Sequence, residues 1–72
     1  MLTTERFERV ATAIIEVLEA QHGGPIDPVD LHRAVLAHDP DLGRDEVISV
    51  TISLVNRGRL ELGLDGRVVL GS

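Results

Sequence analysis

The segment LVNRGRLELGLDGRVVL, from Leu54 to Leu70, restricts the fold more than any other part of the sequence. Gly58 ends a helical pattern, and Asp65-Gly66 is a turn signal between two runs in which apolar and polar residues alternate. This pattern predicts a β-hairpin directly after a helix. Because an isolated two-stranded hairpin is only marginally stable in water, we expect it to lie against helices formed by the rest of the chain.

The length of the turn determines which side chains the hairpin buries. A two-residue turn would pair Leu64 with Arg67 and would divide the large apolar residues between the two faces of the hairpin. A three-residue loop, from Leu64 to Gly66, would instead pair Gly63 with Arg67 and end in a left-handed glycine. Because a one-residue slip moves every side chain to the opposite face, the register that buries more apolar residues is favoured. We therefore predict the three-residue loop, with Leu60, Leu62, Val68 and Leu70 on the buried face and Glu61, Arg67 and Val69 outside.

Three helices are predicted before the hairpin. The first covers about residues 4–21, where apolar residues recur at helical spacing until the sequence HGGP ends the pattern. The second covers about residues 28–38, with Asp27 as N-cap and Pro28 as the first helical residue. The third covers about residues 44–57, and its apolar residues occupy more than half of the helical wheel, which is typical of a helix packed on two sides. With the hairpin at about residues 59–70, the sequence predicts one α+β domain over residues 1–72.

The composition excludes several classes of protein. The chain has no cysteine, hence no disulfide framework or thiolate metal site, and the three histidines, His22, His32 and His38, are not at a metal-ligand spacing. No glycine-rich phosphate loop is present, and the acidic residues of the first helix lie on a predicted solvent-exposed face. We therefore predict no enzymatic activity, no bound metal and no cofactor. Because the chain has no long apolar run and no signal-peptide pattern, we expect a cytoplasmic protein outside the membrane.

The charges are unevenly distributed along the chain. Seven arginines face twelve acidic residues, and a net charge of -5 opposes nonspecific binding to nucleic acid. The excess of negative charge lies entirely in residues 1–43, which carry eight acidic residues and three arginines, whereas residues 44–72 carry four acidic residues and four arginines. Within the second half, then, charge alone does not exclude a nucleic-acid partner.

The order of three helices and a hairpin, together with the sequence DEVISVTISLVNRGRLELGLDGRVVL, resembles the winged helix-turn-helix superfamily over about residues 4–70. The resemblance implies that the third helix is a recognition helix that enters the major groove and that the hairpin is a wing. The function it implies is that of a small transcriptional regulator that binds double-stranded DNA. Because a core this small also gains stability from a partner, we expect the protein to act as a homodimer.

The residues predicted to contact DNA, or otherwise a protein partner, are Arg44, Ser49, Ser53, Asn56, Arg57, Arg59 and Arg67. The serines and the asparagine would approach base edges, the first three arginines would reach phosphates, and the arginine at the wing tip would enter the minor groove. Asp45 and Glu46 depart from this pattern at the start of the third helix. Near phosphates they would repel DNA, whereas as capping and dipole residues they would only stabilise the helix. The sequence leaves both interpretations of these two acids open.

A second function class is a protein–protein interaction module of the same fold that does not bind nucleic acid. The net negative charge is consistent with this class. Its contacts would be made by apolar residues predicted at exposed or edge positions, namely Val29, Leu36, Ile48, Ile52 and Val69. The same residues would need no partner if they were scattered over the surface or formed the second side of a sandwiched helix.

Overall fold

The computed structural model describes residues 3–71 and contains three helices followed by an antiparallel hairpin. The elements are α1 (Thr4–Ala20), α2 (Pro28–His38), α3 (Arg44–Asn56), β1 (Leu60–Leu62) and β2 (Val68–Leu70). The predicted α+β class is confirmed, and α1 and α3 each end one residue earlier than predicted, with Gln21 and Arg57 as their C-caps. Among the helices of residues 3–71, none is long and apolar enough to cross a membrane.

Local signals in the sequence set the helix boundaries. The Thr3 hydroxyl accepts a hydrogen bond of 3.1 Å from the Arg6 amide at the start of α1, and the Asp27 carboxylate accepts one of 3.0 Å from the Val29 amide at the start of α2. Both are N-cap bonds that satisfy amides without a partner inside the helix. After α1, His22 is the first residue with a positive φ, 58°, and Gly23 and Gly24 continue at 86° and 97°, so the chain leaves the helix through the left-handed region that glycine favours.

The three helices enclose one aliphatic core. Its fully or almost fully buried members are Val10, Ala11, Ala13, Ile14, Val17, Leu18, Leu31, Val35, Leu42, Val47, Val50, Leu54, Leu60 and Val68. The single aromatic residue, Phe7, is only partly buried and packs against the edge of this cluster. Leu, Ile, Val and Ala therefore build the core, as the composition requires.

The hairpin is joined to the helices by a segment that the sequence pattern does not predict as a strand. The amide of Ile26 donates to the Val68 carbonyl at 3.0 Å, the Val68 amide donates to the Ile26 carbonyl at 2.8 Å, and the Leu70 amide donates to the Gly23 carbonyl at 2.9 Å. A Cβ atom at Gly24 would lie 2.6 Å from the Val68 carbonyl oxygen, so this close approach of two backbones requires glycine. The α1–α2 connection thus lies beside β2 and makes it the inner strand.

The three-residue loop is confirmed. Leu60 pairs with Leu70, Glu61 with Val69 and Leu62 with Val68, and the Gly63 amide donates to the Arg67 carbonyl at 2.8 Å. Gly66 has a φ of 79°, the left-handed conformation expected at the end of such a loop.

The predicted burial of the hairpin is wrong at two positions. Leu60 and Val68 are buried, as predicted, but the side of β1 near the tip is open and Leu62 is 56% exposed. Val68 lies between two neighbours in the sheet, Ile26 and Leu62, whereas Leu62 is on the outer strand and has a neighbour on one side only. Val69, predicted to be outside, is half-buried. Register decides which face a side chain takes, but position in the sheet decides how much of that face is covered.

The two leucines of β1 provide a test of this difference. Leu60→Ala should lower the free energy of unfolding by about 2–5 kcal/mol, because it leaves a cavity in the core. Leu62→Ala should lower it by less than about 1 kcal/mol, because most of that side chain is already in water. Urea unfolding followed by circular dichroism measures both changes, and equal losses would contradict the observed burial.

Candidate functional site

Helix α3 has a buried face, an outer face and two flanks. Its buried side chains are Val47, Val50, Thr51 and Leu54, and the Thr51 hydroxyl donates to the Val47 carbonyl at 2.7 Å. The exposed side chains opposite them are Asp45, Ser49, Ile52 and Asn56, which we call the outer arc of α3. Asp45 is the only charged member of this arc, so a ligand that reaches the middle of α3 meets polar and aliphatic groups rather than cations.

The structure places the predicted site residues in separate regions. Ser49 and Asn56 are exposed on the outer arc, whereas Ser53 is half-buried. Arg57 and Arg59 line a concavity between α3 and α1, where the Arg57 guanidinium carbon lies 4.7 Å from the centre of the Phe7 ring. This is a cation–π distance, so Phe7 holds Arg57 on the α1 flank of α3.

Arg67 is not near the other predicted residues. It lies on the opposite side of the hairpin, where it lines a concavity with Asp27 and Asp30 at the start of α2. Its Nε atom is also 3.9 Å from an oxygen of Asp65 in the hairpin loop. The charged neighbours of Arg67 in these contacts are therefore acidic, and it is not part of one positive surface with α3.

Arg44, the first residue of α3, lies beside a residue that the sequence does not single out. Arg33 of α2 is exposed and lines a shallow concavity together with Arg44 and His32. We call these three residues the basic corner. Partial burial and the nearby positive charge of Arg44 lower the pKa of His32 below its ordinary 6.5, so that His32 is uncharged at neutral pH. No pattern in the sequence singles out Arg33, whose neighbours in the concavity include Val29 and Leu36, and only the packing of α2 on α3 brings it to Arg44.

Glu46 has a structural role at the start of α3. Its Oε1 atom accepts a hydrogen bond of 3.0 Å from the Gly43 amide, the N-cap residue, and one of 2.9 Å from Nη2 of Arg6. Its Oε2 atom accepts a bond of 2.6 Å from Nε of Arg6 on α1. These hydrogen bonds lower the pKa of Glu46 from 4.5 to about 2, and the bond from Arg6 contributes most to this shift. The capping interpretation is confirmed for Glu46, whose charge is neutralised by α1, while Asp45 stays exposed on the outer arc.

A second arginine of α1 neutralises the loop before α3. Arg9 binds both carboxylate oxygens of Asp39, at 2.8 and 2.9 Å, and reaches Asp41 at 3.5 Å. The pair with Arg9 holds the pKa of Asp39 below its ordinary value. Arg6, which binds Glu46, and Arg9 both belong to the acidic half of the chain, and both thus neutralise acids close to α3. The acids of α1 include Glu5, Glu8 and Glu16, which line a concavity that Arg9 and Asp39 also line.

A groove of about 330 Å³ runs between α3, the start of α2 and the hairpin. Its lining is formed by Pro28, His32, Ile48, Thr51, Ile52, Val55, Asn56, Leu62 and Val68, and we call it the α3–hairpin groove. Ile52 and Leu62 are each 56% exposed in it. Of the alternatives left open for Val29 and Leu36 on the outer side of α2, the sandwiched helix is wrong, because Val29 is 57% exposed.

The comparisons with protein-family models, with curated proteins and with solved structures find no match to this chain. Two adjoining features of its own surface, the basic corner and the α3–hairpin groove, are therefore the evidence for its function.

The bonds of Glu46 make the stability of the protein depend on pH. Because the pKa of Glu46 is lower in the folded state, the unfolded state binds more protons between about pH 4.5 and pH 2. Its contribution to the free energy of unfolding is fully present above about pH 4.5 and is lost as the pH falls toward 2. Glu46→Gln should therefore be less stable than the wild type at pH 7, and the difference should shrink over this window in urea unfolding experiments.

Asp45→Asn is the matched control, because Asp45 is the adjacent acid and makes no ion pair within residues 3–71. It should show no comparable convergence with the wild type. A stability difference for Glu46→Gln that stays constant down to about pH 2 would contradict the assigned role of the Arg6–Glu46 pair.

Proposed function

We propose that this chain is a winged helix-turn-helix domain that binds double-stranded DNA through the start of α3 and acts as a small transcriptional regulator. The observation that carries the proposal is the basic corner, where Arg33 of α2 and Arg44 of α3 line the same concavity. Arginines from two consecutive helices at one corner suit the phosphates on the edge of a groove that the second helix enters.

The side chains next to the corner have the chemistry of base readout. Arg44 can donate two hydrogen bonds to a guanine or contact a phosphate, and Asp45 can accept one from a cytosine amino group. Ser49 follows one turn later on the outer arc, and Asn56 lies at the far end of the same arc. A duplex approached by the start of α3 would therefore meet a cation first and polar groups next.

The pairing of the acids supports this proposal despite the net charge. In the sequence, the negative charge of Glu46 would oppose DNA binding. In the structure, Arg6 neutralises this charge and holds the Glu46 side chain toward α1. At the corner itself, Arg33 and Arg44 make no ion pair within the described residues 3–71. Exposed charges are screened over about 8 Å at physiological salt, so this local balance matters more for a bound phosphate than the acids along α1.

Substitution of the corner arginines tests the proposal. Arg33→Ala and Arg44→Ala should each weaken binding to mixed-sequence duplexes and reduce the slope of log affinity against log salt by about 1, because each removes one phosphate contact. Arg67→Ala removes the same charge on the far side of the hairpin and should have a smaller effect. Fluorescence anisotropy with labelled duplexes at several salt concentrations measures all three, and equal losses would show that the corner is not the site.

The two acids at the start of α3 allow a second test, because the structure gives them different surroundings. Asp45→Asn should tighten duplex binding several-fold at low salt, with the gain shrinking as salt rises, since it removes an unpaired negative charge from the outer arc. Glu46→Gln should change duplex affinity little while it destabilises the fold, since Arg6 already neutralises the charge. An unchanged affinity for Asp45→Asn would mean that α3 does not face phosphates.

A protein–protein interaction module is the second candidate, and the α3–hairpin groove is the observation that favours it. Ile52 lies in the middle of the outer arc and also lines the groove, where a DNA-reading helix would gain more from a polar side chain. The anisotropy experiment separates the two candidates. If no duplex binds at low salt, whether from a random pool or from the upstream region of the gene, the interaction module becomes the preferred function.

A further inference from the structure

The exposed large apolar side chains of α3 and β1 lie in one concavity. Ile52 and Leu62 are each 56% exposed, and both line the α3–hairpin groove together with Ile48 and Val55. On α3 these aliphatic residues follow one another at intervals of four and three positions, which places them in one stripe along the helix. A partner that covers this stripe gains the free energy of removing apolar surface from water.

The α3–hairpin groove continues into the basic corner. His32 lines both concavities and marks the place where they meet. Because His32 is uncharged at neutral pH, the positive charge at this end comes from Arg33 and Arg44 alone. Neither arginine makes an ion pair within residues 3–71, and Val29 and Leu36 add apolar surface around them. An aliphatic groove thus ends at two unpaired cations.

No acidic side chain of residues 3–71 lines either of these two concavities. The chain as a whole has twelve acidic residues and a net charge of -5. The concavities along α1 and around Arg67 each contain at least one acid from the set Glu5, Glu8, Glu16, Asp27, Asp30 and Asp39. Asp45, which follows Arg44 in α3, lines neither the groove nor the corner. A negatively charged group that enters here therefore meets cations rather than carboxylates.

The chemistry of this surface indicates what its partner must carry. DNA supplies negative charge but little aliphatic surface for Ile52 and Leu62, and a purely apolar segment would leave the two arginines without a partner. The Thr51 hydroxyl already donates to the Val47 carbonyl at 2.7 Å, so the groove offers few free polar groups to the backbone of an extended segment. A helix satisfies its own backbone, and its side chains at i, i+4 and i+7 can enter such a groove.

A second copy of this chain does not offer such a helix within residues 3–71. The outer face of α1 is acidic, but its large apolar side chains are buried or only partly exposed. The exposed large apolar side chains of α2 and α3, Val29 and Ile52, belong to this surface itself. Leu64 is also exposed but lies in the hairpin loop rather than on a helix. The partner is therefore a helix of another protein.

The geometry of α3 determines the spacing of groups on the partner. Arg44 and Ile52 are eight residues apart on α3. At a rise of about 1.5 Å per residue, this separation is about 12 Å along the helix. A partner helix that lies along α3 therefore needs its carboxylates about two turns away from the aliphatic side chain that contacts Ile52 and Leu62.

We infer that the α3–hairpin groove and the basic corner together bind an acidic amphipathic helix of another protein. Its aliphatic side chains lie in the groove, and its carboxylates pair with Arg33 and Arg44. This inference goes beyond DNA binding and does not depend on it. Because the bound helix covers Ile52 and Arg44, it and a duplex exclude each other on α3.

A synthetic peptide tests the charged and the apolar parts of this surface separately. The probe is a fluorescent, alanine-rich peptide of about 16 residues, long enough to be partly helical in water. It carries leucines at i, i+4 and i+7 and two glutamates about two turns from the central leucine. Two versions place the glutamates before or after the leucines, because the partner helix can run in either direction. In the matched control peptides, glutamines replace the glutamates.

Fluorescence anisotropy at low salt should show that one glutamate peptide binds at least about fivefold more tightly than its glutamine counterpart, and the difference should shrink as salt rises. Arg33→Ala and Arg44→Ala should each weaken the glutamate peptide several-fold and leave the glutamine peptide unchanged, since only the charge pair is lost. Arg67→Ala, on the far side of the hairpin, should affect neither peptide. Equal affinity of the wild type for glutamate and glutamine peptides would overturn the inference.

The apolar contact is tested by two leucines of the hairpin. Leu62→Ser should weaken both kinds of peptide by about tenfold, because it removes an aliphatic wall of the groove. Leu64→Ser is the matched control, because Leu64 is 111% exposed and does not line the groove. Both side chains are exposed, so neither change should alter the far-UV spectrum or the melting temperature appreciably. Equal effects of the two substitutions on peptide affinity would show that the groove is not the site.

The same variants separate this inference from the proposed DNA binding. Leu62→Ser should reduce peptide affinity and leave duplex affinity unchanged, since Leu62 does not line the basic corner. Failure of duplex binding alone removes the DNA proposal and leaves the peptide result standing. Absence of binding by both glutamate peptides at millimolar protein would overturn the inference. A wild-type dimer in sedimentation velocity that Leu62→Ser abolishes would also overturn it, because a second copy would then cover the groove.

Discussion

The packing of α3 on the other two helices is the constraint on which the rest of the structure depends. Val47, Val50 and Leu54 are fully buried, and the helix that carries them contacts α1, α2 and β1. A chain of 72 residues buries only about 60% of its unfolded surface, so few other contacts are available to hold its elements together. The basic corner, the groove and the base of the hairpin all take their positions from this helix.

Electrostatic contacts complete the placement of α3 and divide the arginines into two groups. Arg6 and Arg9 of α1 neutralise Glu46 and Asp39 at the approach to α3. These pairs are partly exposed, so their effect on the surface charge matters more for function than their contribution to stability. Arg33 and Arg44, near the start of α3, make no ion pair within the part of the chain that the structure describes. In this way an acidic protein presents a basic corner.

The surface of α3 carries two kinds of chemistry that meet at Ile52. Toward the basic corner it is polar and charged, and toward the hairpin it is aliphatic. A ligand on one part excludes a large ligand on the other, because the helix is only 13 residues long. A duplex on the polar part and a partner protein on the aliphatic part would therefore compete for the same helix.

The sequence by itself determined the secondary structure and the hairpin register. Asp27-Pro28, Gly58 and Gly66 act through local backbone geometry and capping, and such effects do not depend on distant residues. The α+β class and the bounds of α2 follow from them directly. The spacing of Glu46 to Gly43 is compatible with a capping role, but the sequence left that role open until the structure showed the hydrogen bond.

Only the tertiary structure decided the surroundings of each side chain. Leu62 is exposed because β1 is the outer strand, and that depends on the backbone bonds between Ile26 and Val68, which no local pattern encodes. Likewise, Arg33 joins Arg44, and Arg67 is separated from both, because helix packing brings together residues that are far apart in the chain. Local geometry is short-ranged and can be read in sequence order, whereas burial and charge neighbourhoods depend on where the other elements lie.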